Sequence, residues 1–139
     1  MQTMQEDHTI LPSTPEESER IHQLLRAYNR QSMRELRDYN FHISDGDRIV
    51  AGIVAGSTFD TLEVEFLFVE EAYRGKGLGG KLLRHVEALA RRDGRKRVLL
   101  NTYSFQAPDF YRAEGYRQLF EINPCFGPYS QHFFIKEFI

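Results

Sequence analysis

Arg74, Lys76 and Lys81, interleaved with Gly75, Gly77, Gly79 and Gly80, form the stretch of this chain best suited to holding an anion. The stretch follows an apolar strand, Val64 to Val69, and runs straight into an amphipathic segment, Lys81 to Asp93. A helix start leaves several backbone N–H groups unpaired and carries partial positive charge, and glycine lets that backbone approach a ligand closely. Three cations surround it. Strand, glycine loop and helix together make a phosphate cradle.

Two widespread phosphate loops nearly fit. Gly75, Gly80 and Lys81 satisfy G-x-x-x-x-G-K-[ST] up to its last position, where Leu82 cannot supply the hydroxyl that holds magnesium. Gly75, Gly77 and Gly80 satisfy G-x-G-x-x-G, but a dinucleotide site wants an acid at the end of the next strand. That strand, Val98 to Leu100, runs into Asn101-Thr102. Each alternative lacks a working part.

The elements that must position the loop alternate along the chain. Residues 1–13 read as a loose tail with a short strand near Thr9 to Leu11. Thr14-Pro15-Glu16-Glu17 is a capping box with proline at the first helical position, and Ile21, Leu24, Leu25 and Tyr28 recur at helical spacing to about Asn29. A second helix is predicted over Gln31 to Arg37. Phe41 and Ile43 begin a strand, Ser44-Asp45-Gly46-Asp47 turns it, and Ile49 to Ala55 returns. Thr61 to Val69 is a third strand. In the main helix Leu82, Leu83, Val86, Leu89 and Ala90 form the apolar face, and Gly94 stops it. A strand (Val98 to Thr102), a short helix (Pro108 to Glu114) and two strands (Tyr116 to Glu121, Gln131 to Phe138) follow.

Length and composition bound the function. The 139 residues suit one domain spanning 1–139. A net charge of −2 gives no electrostatic case for nucleic acid as a partner. Cys125 is the sole cysteine, which excludes an internal disulfide, and the five histidines lack metal spacing, so no metal is implied. The polar start is no signal peptide, and no apolar run approaches the roughly 20 residues of a membrane span. The chain reads as cytoplasmic.

The pattern Arg/Gln-x-x-Gly-x-Gly/Ala falls on Arg74, Gly77 and Gly79. It resembles the acyl-CoA loop of the GNAT superfamily of N-acetyltransferases. Asn101 to Pro108, then Phe110-Tyr111 and Gly115-Tyr116, is similar to that family's strand, short helix and FY…GY segment. Phe105-Gln106-Ala107-Pro108 is similar to one bacterial branch of small members. The resemblance covers about Thr14 to Phe138. It implies a single-domain α/β GNAT-type acyl-CoA N-acyltransferase fold, with a central mixed, mostly antiparallel sheet flanked by helices. It also implies acetyl-CoA as co-substrate and an amine as acceptor. The loop amides of Arg74, Gly75, Lys76, Gly77, Leu78, Gly79 and Gly80 would hold the pyrophosphate. Leu67, Phe68, Val69, Ala107 and Phe110 would also bind the cofactor, and Asn101, polar at a strand end, would hydrogen-bond the pantetheine arm or the substrate, with a turn-capping role as the alternative. Val69 would pair its backbone with that arm in the manner of an added strand.

Transfer to an amine needs a base, because a lysine-like amine titrates near about 10.4, and it needs a proton for the departing thiolate. Strict alternation along Thr61 to Val69 puts Leu62, Val64, Phe66 and Phe68 on one face, and Glu63 and Glu65 on the other with Leu67 and Val69. Two carboxylates on an interior strand imply a face open to a cleft; the plainer alternative is a solvated strand end. Glu65, nearer the loop, is favoured over Glu63 as base or amine-orienting residue. The resemblance places Tyr111 beside the CoA sulfur as general acid, against a purely packing role. Tyr28, Tyr39 and Phe41 are candidate acceptor walls. Cys125 and His132 read as packing or surface residues rather than as nucleophile and pocket lining. The aromatic-rich strand Gln131 to Phe138 reads as an exposed edge suited to a homodimer. A non-catalytic CoA-binding sensor of the same fold is the alternative function.

Overall fold

The computed structural model describes residues 8–32 and 36–138. The chain divides into two compact units, residues 1–33 and 34–139. The first contains helix α1 (Pro15–Asn29), begun by the expected capping box: Glu17 N donates to Thr14 Oγ1 (3.1 Å) and Thr14 N donates to Glu17 Oε1 (3.0 Å). These bonds hold the Glu17 carboxyl below its ordinary range. Residues 9–11, expected to be a short strand, carry none.

The second unit is built on one sheet. Its strands are β1 (Arg37–Asp38), β2 (Phe41–Asp45), β3 (Arg48–Thr58), β4 (Thr61–Val69), β5 (Arg97–Tyr103), β6 (Arg117–Phe126) and β7 (Tyr129–Glu137). The order is β1-β3-β4-β5-β7-β6, with β2 also paired to β3, and only β4–β5 is parallel. Helices α2 (Leu78–Arg92) and α3 (Pro108–Ala113) follow β4 and β5. The helix expected over Gln31 to Arg37 is absent from its described residues: Gln31 and Ser32 form a turn and Arg37–Asp38 pairs with β3, while residues 33–35 lie outside the described ones. The strand Gln131 to Phe138 is no edge. β7 lies between β5 and β6, so its backbone groups are spent on both sides and the edge falls to β6.

Why α2 sits where it does follows from its apolar stripe. Leu82, Leu83, Val86 and Ala90 are buried against Ile53, Leu62, Val64, Val98, Leu100 and Phe134 in one core. Each fully buried leucine or valine contributes about 1.5–3 kcal/mol. Glu87 is also buried on this helix, where its carboxylate accepts from Tyr116 Oη (2.6 Å) and from Lys136 Nζ (3.1 Å). Lys136 Nζ also donates to Glu114 O (2.9 Å), the C-cap of α3, so one ammonium ties α2, α3 and β7 together.

Two irregularities shape the middle of the sheet. Val54 pairs with Phe66 and Ala55 with Val64, which leaves Glu65 as the extra residue of a β-bulge. A bulge reverses the alternation beyond it. Leu62 and Val64 are buried; past the bulge Leu67 and Val69 pack on the core, while Phe66 and Phe68 are exposed on the other face. The strict alternation expected for this strand is therefore wrong from Glu65 onward. The second irregularity is a divergence. β4 and β5 pair only from Thr61–Arg97 to Glu63–Leu99, and beyond these pairs the two strands separate.

Candidate active site

The divergence of β4 from β5 opens a cleft of about 740 Å³, a size suited to a small-molecule ligand. One wall is the end of β4, Leu67 to Val69; a second is the loop and first turn of α2, from Tyr73 to Gly80; a third runs from Phe105 to Tyr111. The whole cleft belongs to the second unit.

The loop has the geometry an anion requires. Gly75 and Gly77 take φ of 79° and 77°, the left-handed region that favours glycine, and Gly77 is the N-cap of α2. The first intrahelical bond runs from Lys81 N to Gly77 O (3.0 Å), so the amides of Leu78, Gly79 and Gly80 precede the helical ladder. Arg74 closes the loop on the strand, its Nε donating to Val69 O (2.9 Å). That bond occupies the Val69 carbonyl with a side chain. A Cβ at Gly79 would stand 3.5 Å from Val69 Cγ2 and 3.8 Å from Phe110 Cζ, filling the neck where loop, strand and α3 meet. Lys76 does not line the cleft; its ammonium lies 5.2 Å from the centre of the Tyr73 ring.

Tyr111 lines the cleft while only 7% of its surface is exposed. Phe110, Tyr116 and Phe134 surround its ring at 5.1, 5.8 and 6.1 Å between centroids. Burial pushes its hydroxyl up to about 12. Among the described residues the hydroxyl has no hydrogen-bond partner, so it is free to serve a ligand. Neighbouring Tyr116 is also raised, by burial first and then by its bond to Glu87.

The sequence-level candidates divide. Leu67, Phe68, Val69, Arg74, Gly75, Gly77, Leu78, Gly79, Gly80, Ala107, Phe110 and Tyr111 come together in the cleft. Asn101 does not: it lies within β5 opposite Phe133, exposed, and its Oδ1 accepts from Gln131 Nε2 (3.0 Å). Glu63 and Glu65 are exposed and outside the cleft lining, with Glu63 opposite Gly56 on the face away from α2, and Glu65 in the bulge. Tyr39 is 1% exposed and donates to Asp93 Oδ2 (2.7 Å), which is a packing role. His132 is buried between Ser130 Oγ (2.9 Å) and Gln118 Oε1 (2.8 Å). Cys125 is exposed beside Gln131 (3.5 Å).

Sequence reasoning missed Tyr73, Phe105 and Gln106. Gln106 Oε1 accepts from Tyr103 N (2.8 Å) and Thr102 Oγ1 (3.2 Å), fixing the turn that delivers α3. A glutamine three residues after a strand end, just before a proline-started helix, was the available signal. Among the described residues, no group of three His, Cys, Asp or Glu could hold a metal, and no helix is long and apolar enough to cross a membrane.

The family model described as the acetyltransferase (GNAT) family matches residues 2–116. The blasticidin-S acetyltransferase of Streptomyces morookaense is 34% identical over 119 residues, 81% of this chain and 87% of that protein. An acetyltransferase of Bacillus cereus, solved at 1.9 Å, is 30% identical, with a TM-score of 0.77 over 94% of this chain and 97% of its own. A Bacillus anthracis protein solved with acetyl coenzyme A shares the fold at 15% identity, with a TM-score of 0.65 over 78% of this chain and 67% of that one.

Proposed function

The chain belongs to the acetyltransferase (GNAT) family and is an acyltransferase, and from that premise we propose that it binds acetyl-CoA in the β4–β5 cleft and passes the acetyl group directly to a primary amine. The observation that carries this reading is the meeting of an anion cradle and a desolvated tyrosine in one cleft. The amides of Leu78, Gly79 and Gly80 would receive the diphosphate, with the start of α2 favouring its negative charge. Leu67, Val69, Ala107 and Phe110 give an apolar channel for the pantetheine arm and exclude water from it. Acetyl-CoA supplies an activated thioester.

The chain's own residues supply position and protons. Tyr111, neutral at every physiological pH, holds a proton where the thiolate leaves. Glu65 and Glu63 stand beside the divergence of β4 from β5, where they orient a cationic amine or accept its proton. The acceptor is a small basic amine, suited to the two exposed carboxylates of β4; the Streptomyces relative is named for acetylating blasticidin S. If Glu65 acts as base, Glu65→Gln should lower turnover about tenfold near neutral pH and recover at high pH, where the amine is already neutral. Full activity of Glu65→Gln at all pH values, with loss in Glu63→Gln instead, would move the role to Glu63.

The cofactor is tested without turnover. Acetyl-CoA at about one hundred times its dissociation constant should stabilise the protein by about 2.7 kcal/mol, a clear rise in melting temperature. NAD and magnesium–ATP should give none. A rise with either of these and not with acetyl-CoA would sink the proposal.

A further inference from the structure

The loop of the cradle leans on very little. Among the described residues, a Cβ at Gly75 or Gly77 would meet no atom within 4 Å apart from its chain neighbours. A glycine turn without support samples many conformations, and ordering it as a ligand arrives weakens binding. The loop must therefore be held from its flank. Arg74 supplies one tie, to Val69 O (2.9 Å). Tyr73 supplies another, and this one reaches out of the cleft.

Tyr73 ends a short 3-10 turn, Glu71–Tyr73, and lines the cleft. Its hydroxyl donates to the Asp45 carboxylate at the end of β2, and the Lys76 ammonium lies 5.2 Å from the centre of its ring. The bond to Asp45 holds the Tyr73 proton above its ordinary range, so the hydroxyl stays a donor. Lys76 stands between Gly75 and Gly77, the two residues at positive φ, so its contact with the ring pins the middle of the loop. A sister contact fastens the same hairpin one turn earlier: Arg48, at the start of β3, pairs with Glu70, whose N donates to Val50 O (2.8 Å). Asp45 itself is exposed and outside the cleft lining. Resting on the acetyl-CoA reading above, we propose that Asp45 and Tyr73 are positioning residues for the diphosphate. The β2–β3 hairpin fixes the Tyr73 ring, the ring fixes Lys76, and the loop amides are ordered before the cofactor arrives. A surface carboxylate outside the cleft thereby sets cofactor affinity.

Calorimetric titration of the full chain with acetyl-CoA, beside steady-state kinetics, tests this directly. Asp45→Ala and Tyr73→Phe should each weaken binding about fivefold, the effect of losing one hydrogen bond. Both break the same bond, so the double variant should also be about fivefold weaker, not about twenty-five-fold. Asp45→Ala should raise KM for acetyl-CoA by the same factor and leave kcat at saturating cofactor unchanged, a split that general loosening of the fold would not give. Asp45→Asn keeps an acceptor oxygen and should stay within about twofold of the native affinity. Arg48→Met, which cuts only the sister contact, should do the same. Native affinity in Asp45→Ala, or single effects that multiply in the double variant, would overturn the positioning role while the acetyl-CoA reading stands. So would an equal loss in Arg48→Met, because the hairpin would then be a general brace. A native protein that binds no acetyl-CoA would remove that reading and this inference together.

Discussion

Tyr111→Phe is expected to lower turnover about a hundredfold, the lower end of what a positioned general acid contributes, and to leave acetyl-CoA affinity unchanged. The reasoning is geometric before it is chemical. The ring is held by Phe110, Tyr116 and Phe134, so phenylalanine fills the same space, and the lost hydroxyl leaves no bonded partner behind among the described residues. Melting temperature should therefore not move. Steady-state kinetics together with a binding titration decide the matter: unchanged turnover would reduce Tyr111 to a packing residue.

The same hydroxyl makes a pH prediction. An ordinary tyrosine loses its proton near about 10, whereas Tyr111 holds it to about 12. Its ionisation should give no descending limb in the rate profile below pH 10. The sign for stability follows from linkage. The folded state binds this proton more tightly than the unfolded chain does, so the contribution is complete below about pH 10 and is lost as pH rises toward 12.

Lys136→Met should give the largest loss of stability, on the order of 3 kcal/mol, because it strands the buried Glu87 carboxylate with Tyr116 alone. It also removes the donor to Glu114 O at the end of α3. For a chain of this size the melting temperature should fall by about 10 °C. The cause can be separated from lost packing. Adding Glu87→Gln removes the stranded charge, so the double variant should regain at least about 1 kcal/mol over Lys136→Met. A single variant within about 0.5 kcal/mol of the native protein would show the ion pair to be dispensable. Because α3 carries Tyr111, Lys136→Met should also slow turnover in the fraction that remains folded.

Much of the site was legible because its signals are local. The cradle is one contiguous run in which glycines stand at positive φ and the apolar stripe of α2 begins directly after it. The capping box of α1 and the glycine stop of α2 were equally local, each set by hydrogen bonds or dihedral angles within a few residues. Ala107, Phe110 and Tyr111 were found through the FY…GY resemblance, and the cleft unites them with the loop.

What sequence alone determined, then, is the glycine-rich turn, the helix it opens and the order of elements from β2 onward, fixed by neighbouring residues and side-chain periodicity, while Tyr111 was singled out by the family resemblance. Tertiary structure decided the rest, because it depends on pairing between distant strands. Nothing in Thr61 to Val69 announces that β3 will skip Glu65, yet that skipped residue turns Leu67 and Val69 inward and Phe66 and Phe68 outward. The separation of β4 from β5 has no sequence mark, although it makes the cleft. β7 looked like an edge until β6 folded back along it, and the Phe41 ring meets His85 only because α2 lies over the sheet. Register and helix placement are settled by burying the whole apolar core at once, so no single segment can encode them.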